Sequence, residues 1–233
     1  MKAGELAITA QYHQACSVLV FERDRQRDFF AIDAKHSLAI ADIYQRIQEK
    51  HPNAGRGYWS VNLWRQLVWQ PIYLAITSVC YQLPLPNLRT VKQCVDDAVI
   101  YKVCEGGSYL ASNQPLDLHE VCQHLIDSLT EMLSMLQSVC RLQRHKANAQ
   151  VQDLLAVGLK RIYAEQGAEV LQPMLRAWQQ ALKMPALNHF TDHETPQLVR
   201  ADCCMHIKIT PEAPCANCPK LNRKGKKHEI NTT

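Results

Sequence analysis

Four cysteines lie close together near the end of the chain, in "RADCCMHIKITPEAPCANCPK", residues 200–220. Cys203 and Cys204 are adjacent. Ten residues later come Cys215 and Cys218, spaced Cys-x2-Cys. That second pair, between Pro214 and Pro219, reads as a tight turn presenting two thiolates to one metal ion. The first pair is different, because neighbouring side chains in an extended chain point to opposite sides. Placing both on one tetrahedral zinc would strain the backbone, and structural zinc sites space their ligands two to four residues apart. A two-iron cluster is a wider target, since its irons are separate and each needs two thiolates. Two pairs of cysteines therefore fit a [2Fe–2S] cluster better than zinc. Structural zinc and unligated thiols remain as alternatives, and His189-x3-His193 would lend an imidazole to the zinc reading.

These thiols must be positioned by the rest of a 233-residue chain, long enough for one large domain or two small ones. Its 47% hydrophobic and 21% charged content is that of an ordinary globular protein. No run of 18 apolar residues predicts a transmembrane helix. The first residues, "MKAGELAITAQYHQACSVLV", lack the charged and apolar regions of a signal peptide. A reducing compartment is therefore expected, where stable disulfides are rare. The net charge of +4 sits entirely in residues 219–233, where five basic side chains face Glu229. A neutral body with a basic tail argues against a nucleic-acid reader. It leaves the tail as a solvated end or a docking patch for an anionic partner or membrane surface.

The elements read as mainly α, with some β-structure. Leu38, Ile40, Ile43, Tyr44 and Ile47 mark one face of a helix over 36–51. A long apolar helix over 61–83 is predicted to kink or split at Pro71. Residues 115–143 give the clearest helix, with Asp117 at its cap and Val121, Leu125, Leu129, Leu133 and Leu136 buried. Two more helices follow over 149–165 and 167–183. Residues 90–107 predict a hairpin turning at Asp96-Asp97 and ended by Gly106-Gly107. Residues 196–204 and 206–210 read as short extended pieces. The expected organisation is a mainly helical domain over 1–195, a cysteine-rich segment over 196–220 and a basic tail over 221–233.

The spacing Cys-Cys-x10-Cys-x2-Cys, with Arg200 just upstream in "LVRADCC", resembles that of the FhuF-type siderophore-iron reductase family. The layout is also similar: a long helix carrying Trp64 and Trp69, a small hairpin, long helices, then the cysteines. The resemblance implies that Cys203, Cys204, Cys215 and Cys218 hold a [2Fe–2S] cluster. It also implies a cytoplasmic ferric-siderophore reductase. One electron suffices for that task, because siderophore oxygens grip Fe(III) strongly and Fe(II) weakly. Iron–sulfur centres span about −700 to +450 mV, which includes suitable donors. An iron–sulfur redox sensor and a zinc-stabilised binding module are the alternative functions.

Other residues carry weaker expectations. Arg200, Arg65 and Trp64 are candidates for contacting an anionic siderophore, with Arg56, Lys160 and Arg161 behind them. Cys16, Cys80, Cys122 and Cys140 sit among apolar neighbours and are expected to be inert buried thiols. Cys94 and Cys104 would face each other across the hairpin, as free thiols. No Gly-x-Gly-x-x-Gly turn opens a βαβ unit, so electrons are expected from an external ferredoxin or flavin-dependent reductase. The expected partners are thus a ferric siderophore and that donor, with no nucleic acid and with peripheral contact at the inner membrane surface through the tail.

Overall fold

The computed structural model describes residues 3–22, 28–33, 38–104, 108–110, 117–164, 166–191, 195–215 and 217–220. The basic tail after Lys220, the Gly106-Gly107 pair and His193 lie outside them. The fold is mainly α. Helices α1 (Ala3–Ala15), α2 (Ile40–Lys50), α3 (Arg56–Tyr81), α4 (Leu118–Gln137), α5 (Arg144–Ile162) and α6 (Ala168–Ala181) form the body. Short strands β1 (Phe21–Glu22), β2 (Phe29–Phe30), β3 (Gln93–Asp96) and β4 (Val99–Cys104) make one small sheet in the order β1-β4-β3-β2. Strands β5 (His189–Phe190) and β6 (Leu198–Val199) form a separate antiparallel ribbon.

Helix α4 begins as its sequence predicts. Asp117 accepts from the Glu120 N–H and the Glu120 side chain returns to the Asp117 N–H, a capping box that satisfies two orphan donors. Its apolar stripe of Val121, Leu125, Leu129, Leu133 and Leu136 is buried. In α2 the buried residues are Ile40, Ile43 and Ile47.

Helix α3 is the central element, and it packs most extensively on α5. It runs unbroken through Pro71, where a kink or break was expected. Proline has no N–H, so the carbonyl of Leu67 four residues back loses its helical partner. The Gln93 side chain from β3 donates to that carbonyl at 3.0 Å. A side chain distant in sequence thus replaces the missing bond. The same face is tied to β4 by Trp69, whose indole donates to the Ile100 carbonyl, and by Gln66, which accepts from the Ile100 N–H.

The hairpin forms over β3 and β4, turning at Asp97-Ala98, with Asp97 in the left-handed region at φ 55°. Cys94 and Cys104 are joined as a disulfide, where free thiols were expected. A register shift between Cys94 and Val95 accompanies the pairing, and the two Cα atoms stand 6.1 Å apart, within the span a disulfide bridges. The extended piece expected over 206–210 is replaced by a short 3-10 turn, His206–Lys208. Met205 before it takes φ 64°, which bends the chain out of extension. Among the described residues, no helix is long and apolar enough to cross a membrane.

Candidate metal centre at the C-terminal cysteines

Helix α5 carries an unusual row of buried polar side chains. Gln150, Gln152 and Asp153 are each fully buried, on a helix otherwise lined by Ala147, Val151, Leu155 and Leu159. A buried carboxylate is costly unless every acceptor position finds a donor. Asp153 meets that demand. Its Oδ1 accepts from the Ala201 N–H at 2.8 Å and the Asn188 amide at 3.1 Å. Its Oδ2 accepts from Arg200 Nε at 3.3 Å and the Asp202 N–H at 3.5 Å. Burial pushes the carboxyl up from its ordinary value, and these four donors pull the other way. Three of the four come from residues 200–202, so one buried acid pins the backbone immediately before the cysteine pair.

Arg200 carries this anchor to the thiols. Its guanidinium spans Asp153 on one side and Cys204 Sγ on the other, with Nη1 3.5 Å from the sulfur. Burial opposes the Arg200 charge, but Cys204 and Asp153 more than offset it. A second arm comes from α3. Arg65 donates to Gln150 Oε1 at 2.9 Å, and the Gln150 amide donates to the Cys203 carbonyl at 3.4 Å. Burial lowers Arg65 from its ordinary value, helped by the like charge of Arg200 and opposed by Cys204 and Asp153. Two guanidinium groups therefore stand behind the cysteine pair.

Two of the four thiols meet. Cys204 Sγ and Cys215 Sγ are 3.5 Å apart. Cys203 is raised first by burial, and Cys218 and Cys204 push it in the same direction. Cys215 is also raised first by burial, with Cys204 and Cys218 adding to it. Cys204 is lowered: burial works against its charge, but the His206 N–H, Arg200, the Cys215 thiol and Arg65 outweigh it. The Met205 N–H points at Cys203 Sγ from 3.4 Å. The Met205 methyl sits over Gly57 on α3, where an added Cβ would approach it to 3.2 Å. Cys218 closes the Cys-x2-Cys turn by donating its N–H to the Cys215 carbonyl.

This donor set fits a site for thiolate ligands. It offers four sulfurs, N–H groups aimed at two of them and two cations close by to balance negative charge. One contact runs across the motif: Cys204 touches Cys215. Among the described residues, no three or more Cys, His, Asp or Glu side chains are gathered tightly enough to hold one metal ion. His189 is exposed on β5.

Of the other expected site residues, Arg56 is exposed, and Trp64, Arg65 and Arg200 are turned inward. Trp64 is 1% exposed and spends its indole N–H on the Ala147 carbonyl. Arg65 and Arg200 face the cysteine pair. Asp153, Gln150 and Asn188 were missed by the sequence reading. The available signal was the polar step Gln150-x2-Asp153 in an apolar stretch of helix. Lys160 and Arg161 line a different feature, an open cavity of about 510 Å³ bounded by the last turn of α5, the β5–β6 ribbon and Asn217. No family model matches the chain, and no solved structure matches it.

Proposed function

We propose that this chain is a ferric-siderophore reductase whose [2Fe–2S] cluster is held by Cys203, Cys204, Cys215 and Cys218. The supporting observation is the Cys204–Cys215 thiol contact at 3.5 Å, with the Arg200 guanidinium against Cys204 Sγ and Arg65 held behind the cysteine pair through Gln150. Bound there, the cluster would supply a single electron to Fe(III), which leaves the siderophore more readily as Fe(II). The protein's own residues do the positioning. Asp153 fixes residues 200–202. Arg200 and Arg65 offset thiolate charge. The Met205 and His206 N–H groups donate to sulfur, which favours the thiolate form that ligates metal. The electron comes from an external donor, a ferredoxin or a flavin-dependent reductase, and the setting is cytoplasmic, with the basic tail available to a membrane surface.

The test is anaerobic. The purified chain is supplied with iron and sulfide, reduced, and mixed with a panel of ferric siderophores while its visible absorbance is followed. A red-brown protein that is reoxidised by at least one ferric siderophore supports the reading. A colourless protein that takes up zinc and not iron overturns it. A coloured protein that no ferric chelate reoxidises overturns the reductase half alone.

A further inference from the structure

The cavity at the end of α5 opens beside the cysteine segment. Lys160 and Arg161 come from the last helical turn, Phe190 and Leu198 from the two strands of the ribbon, and Asn217 from the residue before Cys218. Asn217 is fixed there by donating its amide to the Leu198 carbonyl at 2.9 Å. Consecutive Cα atoms are about 3.8 Å apart, so the cavity wall is one residue from a proposed cluster ligand. Its volume of about 510 Å³ lies within the range of about 300–1,000 Å³ typical of small-molecule sites.

Its lining has a definite chemistry. Val157, Ala164, Phe190 and Leu198 are apolar, Gln197 and Asn217 are amides, and the charged side chains among the described lining residues are both cations. Cations in a last helical turn complement the helix dipole wherever they occur. Here they also border a concave apolar surface. Lys160 is held in place by donating to the Pro196 carbonyl, a neutral partner, and among the described residues no carboxylate is paired with it. Val157 is 39% exposed at the rim.

We infer that this cavity is the substrate site and that it selects ferric chelates of net negative charge, such as carboxylate-based ones, over uncharged trihydroxamate chelates. The inference rests on the reductase reading. An anionic chelate gains from Lys160 and Arg161, while an uncharged one gains only apolar contact. Bound there, the iron lies next to the Cys218 turn.

The experiment separates binding from electron transfer by using gallium(III), which has the charge and size of Fe(III) but is not reduced. Gallium(III) citrate and an uncharged gallium(III) trihydroxamate are titrated calorimetrically into the iron-loaded protein. The citrate complex is expected to bind at least about tenfold more tightly, a preference of about 1.4 kcal/mol that shrinks with added salt. Arg161→Glu reverses one charge. Val157→Trp fills the cavity from an exposed position and leaves both cations in place. Each is expected to weaken citrate-complex binding about tenfold or more with the visible spectrum unchanged. No binding of the citrate complex to wild type, equal binding of the two complexes, or unchanged binding in Val157→Trp would overturn the inference. If gallium citrate binds as expected while no ferric chelate reoxidises the reduced protein, the site stands and the reductase reading falls.

Discussion

One C-terminal cysteine, Cys204, behaves oppositely to the cysteines of the core. The core thiols Cys16 and Cys122 lie against apolar helix faces, 3% and 0% exposed. Burial raises both, Cys122 to about 12. Cys80 and Cys140 are half-buried and are raised for the same reason. Cys204 is half-buried, yet it is lowered, because the His206 N–H, Arg200, the Cys215 thiol and Arg65 outweigh the loss of solvent. The difference lies in what surrounds each sulfur. A thiol among leucines is a small apolar filler, and a thiol facing N–H groups and guanidiniums is prepared to ligate metal.

The sharpest way to break this contrast is by substitution at one cysteine from each set. Cys204→Ser is expected to reduce iron bound after anaerobic reconstitution to background and to abolish the visible spectrum. Cys122→Ala is expected to retain both, as is Cys94→Ser in the disulfide. A native spectrum in Cys204→Ser combined with its loss in Cys94→Ser would move the centre to the hairpin.

The next largest effect is expected at Asp153, which supports the proposed ligands without touching a sulfur. Asp153→Asn removes the anion from a buried pair and turns an amide donor toward other donors. Losing one partner of such a pair costs about 3–5 kcal/mol. The urea midpoint of the metal-free protein should fall accordingly. Replacing both partners, Asp153→Leu with Arg200→Met, should recover part of that loss, because no buried charge is then left alone. A single variant as stable as wild type would mean that Asp153 does not anchor residues 200–202.

A smaller effect tests the platform beneath. Gly158 lets α5 approach α3 closely, and a Cβ there would lie 2.7 Å from Ile76 Cδ1 and 3.2 Å from Tyr73. Gly158→Ala should destabilise the fold by about 1–3 kcal/mol through overpacking, read from thermal unfolding. The same approach sets the spacing of Arg65 on α3 from Gln150 on α5, so iron retention should also weaken. A gain in stability would show that the interface has room to spare.

How much of this was legible in the sequence follows from the range of each interaction. The α4 capping box spans three residues, and its stripe repeats within one helix, so local pattern contained both. The four cysteines were visible as a spacing. The continuity of α3 through Pro71 depends on Gln93, and the seat of the cysteine pair depends on Asp153, 47 residues before Arg200. Neither partnership leaves a periodic trace. Helix α1 shows little amphipathic pattern along its length, and strands β1 and β2 are two residues each, too short for alternation to register. Arg65 and Arg200 were noted as cations, but pattern alone could not tell that they face inward.

The smallest expected effect concerns the core thiols alone and has a definite sign. An unfolded cysteine titrates near 9, and Cys122 in the fold near 12. Between those values the unfolded chain releases a proton that the folded chain keeps. Unfolding therefore becomes easier as pH rises. The contribution of Cys122 is complete below about 9 and is lost on the way to about 12. Tyr73 is raised toward 12 as well, also chiefly by burial, so the wild-type decline alone does not isolate the thiol. Comparison with Cys122→Ala does. The variant should begin less stable near about pH 8, because it removes buried sulfur. It should then lose stability more slowly up to about pH 11, so that the two curves approach each other. Parallel curves from urea unfolding across that range would mean that Cys122 ionises as easily inside the fold as outside. The contrast between a filler thiol and a ligating one would then have to rest on Cys204 alone.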